Sequence, residues 1–131
     1  MRGNYPLTRA KLHAAALQLL GHPECRLIYG PLATTYGRAD WDDIMPPTNI
    51  VIRIDANADP LGHLGVVVHE LLHILLYPCF VGRLTEDYLE VAILAYEADL
   101  AAYINASPRR RALWEALIAR KLSEVTDAPA S

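Results

Sequence analysis

The chain has 131 residues, of which 53% are hydrophobic and 21% charged, a composition that excludes a disordered chain and sets a single domain over residues 1–131 with one modest core. A formal net charge of −3 gives no overall electrostatic footprint for nucleic acid. Two cysteines, Cys25 and Cys79, without CxxC spacing exclude a disulfide framework, and with no apolar run in Met1-Arg2-Gly3-Asn4-Tyr5-Pro6 they point to a reducing cytoplasm.

In chain order, Thr8 is positioned to cap a first helix, with Leu12, Ala16, Leu19 and Leu20 on one side and Gly21 and Pro23 as its stop. Arg26-Leu27-Ile28-Tyr29 reads as a short strand and Thr34-Thr35-Tyr36 as a second, leading into a polar turn around Asp40, Asp42 and Asp43. Thr48 to Asp55 alternates with Ile50, Ile52 and Ile54 on one face, which makes it the clearest strand. Three strands in a row suggest an antiparallel meander. Asp59-Pro60 opens a helix that runs through Tyr77 and that Pro78 is expected to end. Its apolar stretch is short and interrupted by His69, Glu70 and His73, so it reads as a buried central helix and not as a membrane span. Thr85 starts a third helix to about Asn105, and Ser107-Pro108 starts a fourth to about Ser123. Helix, strands and three further helices make an α+β layout.

His69-Glu70-Leu71-Leu72-His73 carries the chemistry. Two histidines at i and i+4 stand on one helix face, where their imidazoles can converge on one tetrahedral ion, and Glu70 beside them can reach a water at an open fourth position without ligating the ion. A third protein ligand is needed. Glu97 sits mid-helix among Ile93, Leu94, Leu100, Ala101 and Ile104, where a carboxylate is costly unless paired or metal-bound, so Glu97 is the first candidate and Glu90, seven residues earlier on the same face, the reserve.

These residues resemble the gluzincin branch of zinc metallopeptidases, in which the two histidines are followed by a ligating glutamate on the next helix. Tyr96-Glu97-Ala98-Asp99-Leu100-Ala101-Ala102 is similar to the E-A-[ND]-x-x-A signature of ImmA/IrrE-type peptidases, and the Pro-Arg-Arg-Arg helix that follows looks like that of small phage-encoded HELLH proteins. The likeness covers about residues 48 to 123, but the chain lacks the N-E-x-x-S-D form of the thermolysin glutamate helix. It implies a minimal zincin-like fold with a small antiparallel or mixed sheet, zinc held by His69, His73 and Glu97, and hydrolysis of a peptide or protein substrate with Glu70 as general base. Ile50–Ile54 would then occupy the place of the edge strand over the cleft, open to pairing with an extended peptide. Asp99 and Asp87 are candidates to support the liganding histidines.

Tyr77, one turn beyond His73, can donate to an oxyanion or simply pack. Tyr96 and Tyr103 read as packing residues, Trp41 and Trp114 as core or interface anchors, His13 and His22 as surface residues, and His63 as an exposed helix-start residue. Cys79 reads as a buried apolar residue, and Arg109-Arg110-Arg111 as a solvated charged turn. Two rivals to the peptidase are a zincin-like structural or regulatory protein, such as a phage assembly component that holds zinc and a partner without turnover, and a metal-free helical packing domain. A structural zinc site would fill its fourth position from the protein, with Cys79 or His63 available.

Overall fold

The computed structural model describes residues 8–30, 37–42, 44, 47–55, 63–80 and 85–127. They form α1 (Arg9–Gly21), β1 (Cys25–Gly30), β2 (Gly37–Asp42), β3 (Thr48–Asp55), α2 (His63–Phe80), α3 (Glu86–Asn105) and α4 (Pro108–Asp127). The fold is α+β, four helices with a three-stranded mixed sheet.

Local signals set most boundaries. The Thr8 hydroxyl accepts the Lys11 amide, the Thr85 hydroxyl that of Tyr88, and the Ser107 hydroxyl that of Arg110, so each of these side chains satisfies an orphan donor of a first turn. α2 runs to Phe80 rather than stopping at Pro78. A proline so near the C-terminal end removes one hydrogen bond of the last turn without dismantling the turns before it. α4 extends to Asp127, beyond the expected Ser123. The expected start of α2 at Asp59-Pro60 and the expected strand Thr34–Tyr36 lie outside the described residues.

The sheet departs from a meander. Its order is β1-β3-β2, with β1 parallel to β3 (Leu27 opposite Ile52) and β2 antiparallel to it (Ala39 opposite Ile52). β3 is therefore central, because it is the strand with three isoleucines on one face. Ile50, Ile52 and Ile54 are fully buried beneath the helices together with Cys25 and Leu27 of β1. Residues 37–42, which include the Asp40 and Asp42 expected in a polar turn, instead form the edge strand β2. Arg38 and Asp42 point to solvent while Gly37 and Ala39 face inward, so its alternation is polar and small instead of polar and branched. A register irregularity between Asp40 and Asp42 lies near Asn49, whose φ of 51° an asparagine tolerates and whose amide donates to Asp42 at 2.6 Å.

α2 is the hub and packs on α1, α3, α4, β2 and β3. Val67, Val68, Leu71, Leu72, Ile74 and Leu76 are all buried, each contributing about 1.5–3 kcal/mol in removal from water. That leaves one partly open stripe, Val66, His69, His73 and Tyr77, at helical spacing. Among the described residues no helix is long and apolar enough to cross a membrane.

Candidate metal centre

The polar side chains of α2 emerge where that stripe meets α3 and the edge strand. His69 Nε2 lies 3.2 Å from His73 Nε2. Glu90 of α3 faces both rings, with Oε1 2.8 Å from His69 Nε2 and Oε2 3.3 Å from His73 Nε2. These three residues form a group whose ligand atoms all lie within 4.8 Å of one another. Glu97, the first sequence candidate, approaches the other side of the ring, with Oε1 2.7 Å from His69 Nδ1. The reserve residue Glu90 is thus the carboxylate at the convergence point, and Glu97 stands at the other nitrogen of His69.

The donor set fits a divalent cation. A tetrahedral ion with bonds of about 2.0–2.1 Å holds its ligand atoms about 3.3–3.4 Å apart. The two Nε2 atoms at 3.2 Å and Glu90 Oε2 at 3.3 Å from His73 are close to that, while Glu90 Oε1 stands nearer to His69 at 2.8 Å. Protonation gives a second argument. When Nδ1–H of His69 donates to Glu97, a neutral ring presents a lone pair at Nε2. That lone pair faces a carboxylate oxygen and a second imidazole nitrogen, an arrangement of acceptors that needs a proton or a cation among them. The His69 pKa reflects this. Burial pulls it down, but the Glu97 hydrogen bond and the charges of Glu70, Glu90 and Glu97 outweigh burial and raise it. His73 goes the other way, lowered by burial and by His69 against the pull of Glu90.

Glu70 is the buried member, only 8% exposed. Its carboxylate accepts the backbone N–H of Ala39 on β2. Burial pushes its pKa up to about 7. The His69 charge and the Ala39 amide oppose the rise, and Glu90 and Glu97 add to it. A carboxyl poised near neutrality beside a metal-type cluster is suited to accept and return a proton. Gly37 allows the strand this close, since a Cβ there would collide with Val66 Cγ1 and stand 3.3 Å from Glu70 Oε2.

Two cavities share His69, Glu70 and Glu90. One, of about 380 Å³, runs along β2 past Arg38 and Trp41, and the other, of about 340 Å³, opens between Gly65 and Leu94. Ile50–Ile54 cannot offer an edge over this cleft, because β3 is paired on both sides; β2 is the strand that borders it. Tyr77 packs its ring edge-on against Trp41 at 5.7 Å. Asp99 is paired with Arg9 at 3.1 Å and so is engaged away from the histidines.

Several other residues differ from their sequence reading. His63 is buried, 7% exposed, with the Tyr29 hydroxyl 3.3 Å from Nδ1. His13 is half-buried and accepts the indole N–H of the fully buried Trp114 at 2.9 Å. Arg110 lies over the Tyr103 ring at 3.9 Å and Arg111 binds Glu115 and Asn105, so two of the three arginines serve helix packing. Lys121, which the sequence did not single out, is buried and donates to the carbonyls of His22 and Cys25. The structure does not describe the Cys79 side chain. No known protein family, characterised protein or solved structure matches the chain.

Proposed function

We propose that the chain is a zinc-dependent peptidase of the gluzincin kind, with His69, His73 and Glu90 holding the ion and Glu97 fixing the His69 ring. The observation that carries this reading is the convergence of three metal-type donors beside one buried carboxyl, Glu70. Imidazole and carboxylate donors suit zinc among several divalent ions. Zinc, when bound, would supply Lewis acidity toward a carbonyl oxygen and toward water.

The remaining steps belong to the chain. Glu70 takes a proton from the attacking water and delivers it to the leaving amine, while its hydrogen bond to Ala39 holds it in line. Glu97, 2.7 Å from His69 Nδ1, would hold the tautomer that leaves Nε2 free to ligate. The β2 edge would pair with the backbone of an extended peptide, bringing a carbonyl to the site. Tyr77 is a further candidate donor to the oxyanion, tested by Tyr77→Phe, which removes the hydroxyl and keeps the ring contact with Trp41. The proposed setting is cytoplasmic.

The decisive experiment incubates the zinc-loaded chain and Glu70→Gln with a library of synthetic peptides and reads cleavage by mass spectrometry. The wild type is expected to cut, and the variant to retain zinc but cut at least a hundredfold more slowly. A variant that loses zinc, or one that cuts as well as the wild type, refutes the role of Glu70. Zinc bound by a wild type that cuts nothing would favour the regulatory reading.

A further inference from the structure

We propose that Gly37 is a positioning residue for Glu70. Its missing side chain lets β2 lie against α2, and that closeness seats the Glu70 carboxylate on the Ala39 amide. The catalytic consequence rests on the peptidase reading, but the geometric claim does not.

Gly37 is buried, sits opposite Ile54 at the start of the edge strand, and borders the same cavity as His69, Glu70 and His73. Glycine weakens a strand interior, and in that setting it often marks a place where another group approaches closely. Here the approaching groups are identified. A Cβ at 37 would overlap Val66 Cγ1 and stand 3.3 Å from both Glu70 Cγ and Glu70 Oε2. Val66 lies on a rigid helix whose neighbours Val67 and Val68 are buried, so relief comes from the edge strand, which has a partner on one side only. Two residues further along that strand, the Ala39 N–H is the group that the Glu70 carboxylate accepts. Displacing β2 therefore lengthens this hydrogen bond and frees the buried carboxyl to rotate. The three atoms nearest a Cβ at 37 belong to Val66 and Glu70 and to none of His69, His73 or Glu90, so the collision falls on the base and not on the ion-holding side chains.

The test compares wild type, Gly37→Ala, Val66→Ala and the double variant Gly37→Ala/Val66→Ala. The cleaved peptide found fastest in the library serves as substrate. Gly37→Ala is expected to lower kcat by about a hundredfold, the scale of a misplaced reacting group, with KM and zinc affinity within threefold of wild type. In the Val66→Ala background, where the obstructing methyl is gone, the same substitution should cost less than threefold. The Ala39 amide proton, followed by NMR, should shift upfield and lose exchange protection in Gly37→Ala and recover in the double variant. Unchanged kcat, an equal loss in the Val66→Ala background, or a matching loss of zinc affinity overturns the proposal. Should Gly37→Ala not fold, the double variant must, and its failure to fold overturns the proposal as well. If the wild type cuts no peptide, the peptidase reading falls alone. The Ala39 amide then decides: a signal that is the same in wild type and Gly37→Ala overturns the inference, and a shift reversed in the double variant supports it.

Discussion

Glu90 and Glu97 occupy different sides of one imidazole, and their removal should have different consequences for zinc. Glu90 bridges both Nε2 atoms, at 2.8 and 3.3 Å, whereas Glu97 reaches only Nδ1 of His69 at 2.7 Å. Loss of a carboxylate that merely orients a liganding histidine weakens metal binding by about 10–100-fold, or about 1.4–2.7 kcal/mol. Loss of a direct ligand should exceed that. The difference is visible in melting temperature. Zinc at a hundred times Kd stabilises the fold by about 2.7 kcal/mol, and at this chain length each kcal/mol moves Tm by about 3–5 °C, so the wild type should gain about 8–13 °C. At the same zinc concentration a tenfold weaker Glu97→Gln retains about half of that gain, and Glu90→Gln retains almost none. Equilibrium dialysis against zinc and calorimetric melting with and without the ion measure both quantities. A larger loss in Glu97→Gln than in Glu90→Gln would refute the assignment and return Glu97 to the ligand set.

Three further outcomes follow from groups away from the ion. Lys121→Met removes the donor to the carbonyls of His22 and Cys25 and should lower stability by about 2–3 kcal/mol in urea unfolding, whereas an unchanged midpoint would show that water serves those carbonyls equally well. Burial pushes the Cys25 thiol up to about 11 from its usual 9.0, against the opposing charge of Lys121. The unfolded chain therefore loses this proton first, and the Cys25 contribution to stability is full below pH 9 and falls by at most about 3 kcal/mol as pH rises toward 11. Cys25→Ala should lack this component, and identical alkaline profiles would refute it. His13 is held below its usual 6.5 by burial and then by Arg110, so the folded state prefers the neutral ring that accepts from Trp114. Its contribution is present above pH 6.5 and lost as pH falls below that value, so wild-type and His13→Gln midpoints should converge on acidification. Parallel midpoints between pH 7.5 and 5.5 would rule this out.

Where hydrophobic periodicity and caps decide structure, the chain could be read directly. Thr8, Thr85 and Ser107 cap the helices expected of them, and the alternation of Ile50, Ile52 and Ile54 marks the central strand. Pairing order was not accessible in the same way. Nothing local in Arg26–Tyr29 shows that it lies parallel to β3, because that choice is made by the helices covering the sheet. β2 escaped detection for a related reason. An edge strand that must fit beneath α2 carries Gly37 and Ala39 on its inner face, and its outer face of Arg38, Asp40 and Asp42 has the composition of a turn. The buried histidines His13 and His63 and the buried Lys121 take their environment from partners distant in sequence, such as Trp114, Tyr29 and the carbonyl of Cys25.

The choice between the two glutamates shows the same limit at the site. Seven residues bring a helix back to within about 20° of the same face and about 10.5 Å along its axis, so Glu90 and Glu97 point alike and differ only in height. Height is set by how α3 docks on α2, through Ile93, Leu100 and Ile104, and no local pattern encodes it. A carboxylate among apolar neighbours, as Glu97 is, needs a partner. The structure supplies one in Nδ1 of His69 rather than at the convergence of the Nε2 atoms. Docking at this height puts one carboxylate on each nitrogen of a single ring. In the proposed site Glu97 would fix where the His69 proton resides, and with it the lone pair that, with His73 and Glu90, would make a donor set for a cation. Neither glutamate can stand in for the other: without Glu97 the Nδ1 of His69 loses its acceptor, and without Glu90 its Nε2 faces no carboxylate.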